Sequence, residues 1–502
     1  MLSEIVSNLR VLCDYKVNEL AVLNILQAKL TYVFSLKDVK FKSIQNIGEA
    51  RPLAYYAFNF VPSGGMKNLP PALIDKHLIG FVNDFLFEYN NERIKKIECE
   101  QTMEMNSVSD KIERRRKTQE YEQILKEEKK KRLELTLTNA TQAKIYSNLD
   151  IINQVGYGAI CIQNTEFVNF YEEAILNRDK IKKEFLYMLY DLYDGEYKGT
   201  DTVSVARKNL YNIPISCVLL SDYKLFSENE KLGNNFKSYL SRGMARRSFI
   251  YFRENENYYK KNHVYPSYDK KQQAIDNLKI YSQKIKQIFD NIELHKEYIF
   301  NGEANERINE YKKEVDAKIC EFYKYTDKLT NNNEILKLNI EHSTWKIIKL
   351  AVLYHIIDTG GAVSFVKADS FNKAINFFNE THHCLDMLLN DKTISDYDNL
   401  YNYLIENRNK WISKTELRNQ KFVNNRDFKT WLEDAFIAIS VKADEKGFLI
   451  AQRAVGKRNQ GVEFTLYEPK LYSFKETEKL KDGRVKGELI CLDNRDMEVS
   501  EI

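Results

Sequence analysis

The segment FVPSGGMKNLPP, residues 60–71, sets two glycines and a lysine directly after the apolar run YYAFNFV. A strand that ends in a glycine turn followed by lysine can wrap phosphate oxygens with backbone N–H groups while the ammonium reaches the outer phosphates. The usual form of such a loop closes Gly-Lys-Ser/Thr, and the hydroxyl holds Mg²⁺. Here Met66 takes the place of the last glycine and Asn68 that of the hydroxyl. Ser63, Gly64, Gly65, Met66, Lys67 and Asn68 therefore make up a candidate ATP loop, with Asn68 at the metal position. A Gly-Gly turn before a Pro-Pro helix start would produce the same string with no ligand at all.

Nucleotide hydrolysis needs further groups at other strand ends: a carboxylate for Mg²⁺ or the attacking water, a polar sensor of the outer phosphate, and a cation for the transition-state charge. GAICIQNTEF supplies Glu166 just past an apolar run, with Asn164 and Thr165 ahead of it. IPISCVLLSDYKLF supplies Ser221 and Asp222, and SRGMARRSFIYF supplies Arg242, Arg246 and Arg247. Arg246 or Arg247 is read as a finger completing a neighbouring subunit's site, in a homo-oligomeric ring. Each group also has a plain reading: a surface glutamate, a strand-end serine, a solvated arginine cluster.

Four regions must position these groups. Residues 1–48 carry helical periodicity and read as a lead-in. Between 49 and 255 the strand-like runs YYAFNFV, GAICIQ, ISCVLLS and SFIYF alternate with helical stretches, the pattern of an α/β core with a mainly parallel sheet. A long helical insertion spans about 82–135, and its mixed-charge part, DKIERRRKTQEYEQILKEEKKKRLEL, reads as a solvated helix laced with i,i+4 pairs. Residues 256–400 read as an all-α lid or bundle, in which WKIIKLAVLYHIIDTGG stops at Gly360-Gly361.

Residues 405–502 read as two short helices followed by a β-hairpin, the order of a winged helix. Its DNA-binding candidates are Lys414, Arg418, Lys421 and Arg426 on or near the helices, and Lys457 and Arg458 on the wing. A protein-interaction module is the alternative for this tail.

Composition bounds these readings. With 502 residues the chain has room for three or four units of ~100–200 residues each. Its 76 Lys and Arg against 72 Asp and Glu leave a net charge of +4, so any nucleic-acid surface must be local. Seven scattered cysteines form no CxxC pair, which argues against a zinc site or a disulfide framework and fits a reducing cytoplasm. The best apolar stretch is interrupted by Lys346, Lys349 and Asp358, so no membrane span is expected.

From about residue 50 to 365 the chain resembles the P-loop ATPase domains of prophages and mobile elements, which have a RecA/AAA+-type core and are often described as primase-associated replicative helicases. PSGGMKNLPPALI, LTNATQAKIYSNL (137–149), GAICIQNTEFVNF, LYDLYDGEYKGTDTVSVARKNLYNI and GMARRSFIYF carry the likeness. The resemblance implies ATP and Mg²⁺ as cofactors and DNA as partner. It also implies Lys67 on phosphate, Glu166 as the catalytic carboxylate, Ser221 as the sensor, and Arg246 or Arg247 as the finger. Met66 and Asn68 depart from the pattern, which leaves a second reading open: a degenerate, non-hydrolysing P-loop protein serving as a DNA-binding or protein-interaction scaffold, phage defence included.

Overall fold

The four apolar runs become neighbouring strands of one sheet in the computed structural model. It describes residues 1–45, 49–61, 66–138, 141–177, 179–197, 201–202, 205–206, 210–222, 230–252, 265–323, 329–420, 432, 435–436, 439–440, 443, 448–455, 461–469, 472–479 and 485–491. The strands are β1 (Tyr55–Phe60), β2 (Leu137–Thr138), β3 (Ile160–Asn164), β4 (Ile215–Ser221) and β5 (Ser248–Phe252). They run parallel throughout, in the order β5-β1-β4-β3-β2. Strands buried on both faces read as continuous apolar runs rather than alternating ones, and every residue of β1, β3, β4 and β5 is buried.

Helices α1 (Leu2–Leu12) and α2 (Glu19–Ser35) precede the sheet, and α3 (Leu69–His77), α4 (Val82–Ser107) and α5 (Lys111–Glu128) lie between β1 and β2. Next come α6 (Gln142–Val155), α7 (Phe167–Ile175), α8 (Lys180–Tyr193) and α9 (Glu230–Tyr239). The expected lead-in supplies a core element: α2 packs on β1 and β4 and is buried on nearly every side. A helix in that position has to pair its polar side chains internally. Asn24 Nδ2 donates to Asn59 Oδ1 at 2.7 Å, the Tyr55 hydroxyl donates to Gln27 Oε1 at 2.6 Å, and Gln27 Nε2 donates to the Tyr354 hydroxyl at 2.6 Å.

The charged run is helical and solvated as its pattern demands, since α5 buries none of its residues. It returns along α4 as a helical hairpin whose base is held by Arg93. That guanidinium is 1% exposed, meets Glu128 Oε2 at 2.6 Å, and donates to the Glu128 and Lys131 carbonyls at the end of α5. Buried charge is tolerated there because the Glu128 carboxylate, Gln154 Oε1 and two carbonyls at and just past the end of α5 absorb the donors of its two terminal nitrogens.

Residues 256–400 are helical but not purely so, which corrects the all-α expectation. Helices α10 (Tyr268–Asn291), α11 (Gly302–Phe322), α12 (Asn331–Glu341), α13 (Ser343–Thr359) and α14 (Ala368–Glu406) are joined by the short strands Glu297–Phe300 and Phe365–Val366. These pair with Lys40–Lys42 and Arg51–Pro52 in a second, four-stranded sheet. Helix α13 is buried on nearly every side, and Gly360 closes it in the left-handed conformation at φ 66°. Among the described residues no helix is long and apolar enough to cross a membrane.

By its contacts the chain divides into two units: 1–319 with 333–388, and 320–332 with 389–502. In the second unit Ile412–Ser413 leads into α15 (Lys414–Asn419), started by a capping box of Ser413 and Glu416. Leu432, Ala435, Ile439 and Ala443 follow at helical spacing in one apolar cluster with Leu417, Phe464 and Leu466. Strands Leu449–Val455 and Gly461–Tyr467 form the expected hairpin, and Ile412–Ser413 pairs with the second of them. A further antiparallel pair, Tyr472–Lys479 with Val485–Cys491, lies beyond it.

Candidate functional site

In an open parallel sheet ligands bind beyond the carboxyl ends of the strands, where the chain leaves two neighbouring strands in opposite directions. That condition is met between β1 and β4, because β1 connects across to β2 at one edge and β4 to β5 at the other. The loop leaving β1 is stitched to this point by Val61 N–H, which donates to the Ser221 carbonyl at 2.9 Å. Residues 62–65, and so Ser63, Gly64 and Gly65, lie outside the described residues.

Met66 and Lys67 follow. Met66 has φ 50°, the left-handed region that glycine reaches without steric cost. Its carbonyl accepts from Leu69 N–H at 3.0 Å, and α3 starts with Pro70 and Pro71 buried in its first turn. Lys67 is largely buried, and its Nζ lies 3.1 Å from Glu166 Oε2. The sequence separates this pair by 99 positions, yet β1 and β3 bring the two side chains to one end of the sheet.

Glu166 sits on the sharp turn from β3 into α7. Its N–H donates to Asn164 Oδ1 at 3.0 Å, and its carbonyl accepts from Asn169 N–H at 3.1 Å. Asn164, in the place of the usual metal-side aspartate, is thus a buried turn former. An aromatic cluster supports the turn from below: Phe58 stacks on Phe60 at 4.7 Å and meets Phe167 edge-on at 4.9 Å, and Phe60 meets Phe236 of α9 at 5.7 Å. Helix α3 is fixed behind the loop by Lys29 of α2, whose buried Nζ donates to Asp75 at 2.9 Å and to Thr136 at 2.8 Å. Burial pushes the Asp75 carboxyl up, against the pull of that ammonium.

Ser221 is fully buried at the end of β4, and its hydroxyl donates to the Asp222 carbonyl at 3.2 Å. Asn68 is exposed, and its amide makes no cap on α3. Among the described residues no group of three His, Cys, Asp or Glu could hold a metal by itself. The donor set fits an anionic phosphate chain, to which Lys67 gives an ammonium, and a Mg²⁺ carried on that chain with Glu166 as its protein carboxylate.

Arg246 and Arg247 precede β5 and therefore stand at the amino ends of the strands, away from Lys67 of the same chain. The picture of an exposed finger does not hold for Arg247. It is buried, pairs with Asp194 Oδ2 at 2.5 Å, and lies over the Tyr190 ring at 5.4 Å. The carboxylate it meets comes from the end of α8 and not from the charged arm. Arg246 is half-buried with no ion-pair partner among the described residues, and burial together with the neighbouring Arg247 lowers its pKa.

Sequence reasoning passed over Lys346 and Lys349, treating them only as interruptions of an apolar stretch. Both are buried in α13: Lys346 Nζ donates to the Ala245 and Ser248 carbonyls at 3.1 and 3.0 Å, and Lys349 Nζ to the Tyr193 carbonyl at 3.0 Å. Burial brings each of them down to about 7. The available signal was two lysines three apart in a helix with no polar face.

In the second unit Lys414 and Arg418 lie one turn apart on α15, Lys414 half-buried and Arg418 exposed. Lys421, Arg426, Lys457 and Arg458 lie outside the described residues. Towards the turn end of the hairpin Arg453 stacks over Trp411 at 4.2 Å and pairs with Glu463 at 2.9 Å.

Compared with known proteins, the chain matches no family model and no curated sequence.

Proposed function

We propose that the chain is a P-loop ATPase of the RecA/AAA+ type that acts on DNA during replication of a phage or mobile element. The observation that carries this reading is the meeting of Lys67 and Glu166, 3.1 Å apart beyond the carboxyl ends of β1 and β3. A lysine that binds phosphate and a carboxylate that orients metal or water must lie within a few ångströms of one reacting group. The interposed β4 supports the reading, since it carries Ser221 and Asp222 to the same end of the sheet. The reading makes no use of Arg246 or Arg247 within one chain. For DNA it relies on the helix–hairpin order of the tail and on Lys414 and Arg418.

A second reading, a nucleotide-binding scaffold without turnover, is favoured by Asn68, which offers Mg²⁺ no hydroxyl. Nucleotide titration with Mg²⁺ on wild type and Lys67→Ala, followed by ATPase rates with and without single-stranded DNA, separates the readings. ATP binding unaffected by the loss of Lys67 rejects both. Lys67-dependent binding without turnover selects the second.

A further inference from the structure

At the amino ends of β1 and β5, opposite the Lys67–Glu166 end, lies a cavity of about 560 Å³ lined by Arg51, Asp194, Arg246, Arg247, Trp345 and Lys349 among others. That volume falls within the range of ~300–1,000 Å³ typical of small-molecule sites and far exceeds the needs of a bare inorganic ion. Its charges do not cancel. Two carboxylates line it, Glu49 and Asp194, and each is already matched, Glu49 by Arg51 at 3.1 Å and Asp194 by Arg247 at 2.5 Å. Arg246 and Lys349 remain without a carboxylate partner among the described residues.

The backbone is shaped to keep the arginines together. Gly243 has φ 146°, and a Cβ there would fall 2.6 Å from the Arg247 guanidinium and 3.4 Å from that of Arg246. A side chain at 243 would push the Arg247 guanidinium aside and touch that of Arg246, so the glycine leaves room for both at the cavity wall. The lining residues also hold two buried polar atoms with no partner among the described residues, Arg247 Nε and the Tyr193 hydroxyl. Buried groups of this kind are normally satisfied, and each exception calls for an occupant or a role. Trp345, half-buried and steadied edge-on by Phe41 at 6.4 Å, adds a planar apolar surface.

We propose that this cavity is a second small-molecule site, taking a mononucleotide-like anion with its phosphate on Arg246 and Lys349 and its planar ring against Trp345. An arginine fork suits a phosphate monoester, and Lys349, brought down to about 7 by burial, gains its full charge beside an anion. The indole suits a base, since every base presents a π-face. The site lies at the other end of the sheet from the nucleotide loop, and the proposal stands whether or not that loop binds ATP.

The test uses the full-length Lys67→Ala chain, so that the loop contributes little. Calorimetric titration is run with the four ribonucleoside monophosphates, ribose 5-phosphate and inorganic phosphate, and circular dichroism checks the fold of each variant. At least one monophosphate should bind. Arg246→Gln should weaken it tenfold or more, with partial recovery in Arg246→Lys, and Trp345→Ala should weaken it severalfold. Ribose 5-phosphate and inorganic phosphate should bind at least tenfold more weakly. The proposal is overturned if no monophosphate binds the folded chain, or if binding ignores both Arg246 and Trp345. Equal affinity for ribose 5-phosphate overturns the role given to the ring.

Discussion

Lys67 spends its charge on Glu166: the ammonium is largely buried, the carboxylate half-exposed, and they stand 3.1 Å apart. An incoming phosphate must compete with that carboxylate for the same cation. A partly exposed pair of this kind is worth roughly 0.2–1 kcal/mol. Glu166→Gln should therefore bind ATP without Mg²⁺ up to about fivefold more tightly than wild type, while losing turnover with the metal. Lys67→Ala should weaken binding by roughly 1.5–3 kcal/mol. Equilibrium titration of both variants checks the pair, and weaker ATP binding by Glu166→Gln would speak against a competing carboxylate.

Met66 at φ 50° costs its backbone about 1–2 kcal/mol that glycine would not incur. Glycine gives part of this back through the entropy of the unfolded chain, roughly 0.5–1 kcal/mol. Met66→Gly should come out neutral to stabilising by about 1 kcal/mol, whereas Met66→Val should destabilise. Urea midpoints decide this, and a clear loss of stability in the glycine variant would show that the Met66 side chain is what holds the turn.

The two buried lysines of α13 make stability depend on pH. Each falls to about 7 in the folded chain, while an unfolded lysine stays near ~10.4. Between those values the unfolded chain binds more protons, so stability rises with pH there, and below about 7 the penalty of burying both charges is fully present. The slope approaches about 1.4 kcal/mol per pH unit for each lysine inside the window. Lys346→Met should accordingly be more favourable at pH 6.5 than at pH 9, by about 2.5 kcal/mol in denaturant unfolding. A difference between wild type and variant that stays flat over this range would mean that Lys346 is charged throughout.

In the tail, replacing Lys457 and Arg458 with alanine in the full-length chain should flatten the salt dependence of duplex binding by roughly two in log K against log salt, at about 0.9 per phosphate released. The loss should be equal for all sequences. Changes at Arg418, exposed on α15, should instead alter sequence preference. Anisotropy over a salt series measures both, and duplex binding with an unchanged slope would move the contact away from the wing.

Strand positions were legible because β1, β3, β4 and β5 are buried on both faces, so that each reads as an unbroken apolar run. The nearness of Lys67 and Glu166 followed from the order of those runs, since side chains at the carboxyl ends of one parallel sheet converge. What the chain hid was whatever depends on partners distant in sequence. Strand Glu297–Phe300 is too short to show a period and exists because Lys40–Lys42 lies beside it. The cavity wall draws on residues from 45 to 349, and nothing local marks Tyr193 or Lys349 as its members. The lead-in reading of 1–48 missed that α2 is a core element, because the partners of Asn24, Gln27 and Lys29 lie far along the chain.

The chain of hydrogen bonds from Asn59 through Asn24, Tyr55 and Gln27 to Tyr354 sets a timetable for synthesis. Its first members leave the ribosome some 300 residues ahead of its last, since Gln27 and Tyr354 are 327 positions apart. At ~5–20 residues per second the gap lasts roughly 15–65 seconds. Throughout it Gln27 Nε2 lacks its acceptor, although β1 and β4, the strands on which α2 packs, are made earlier. The network is therefore completed only once the later half of the chain has been made, and Gln27 is the member left open longest.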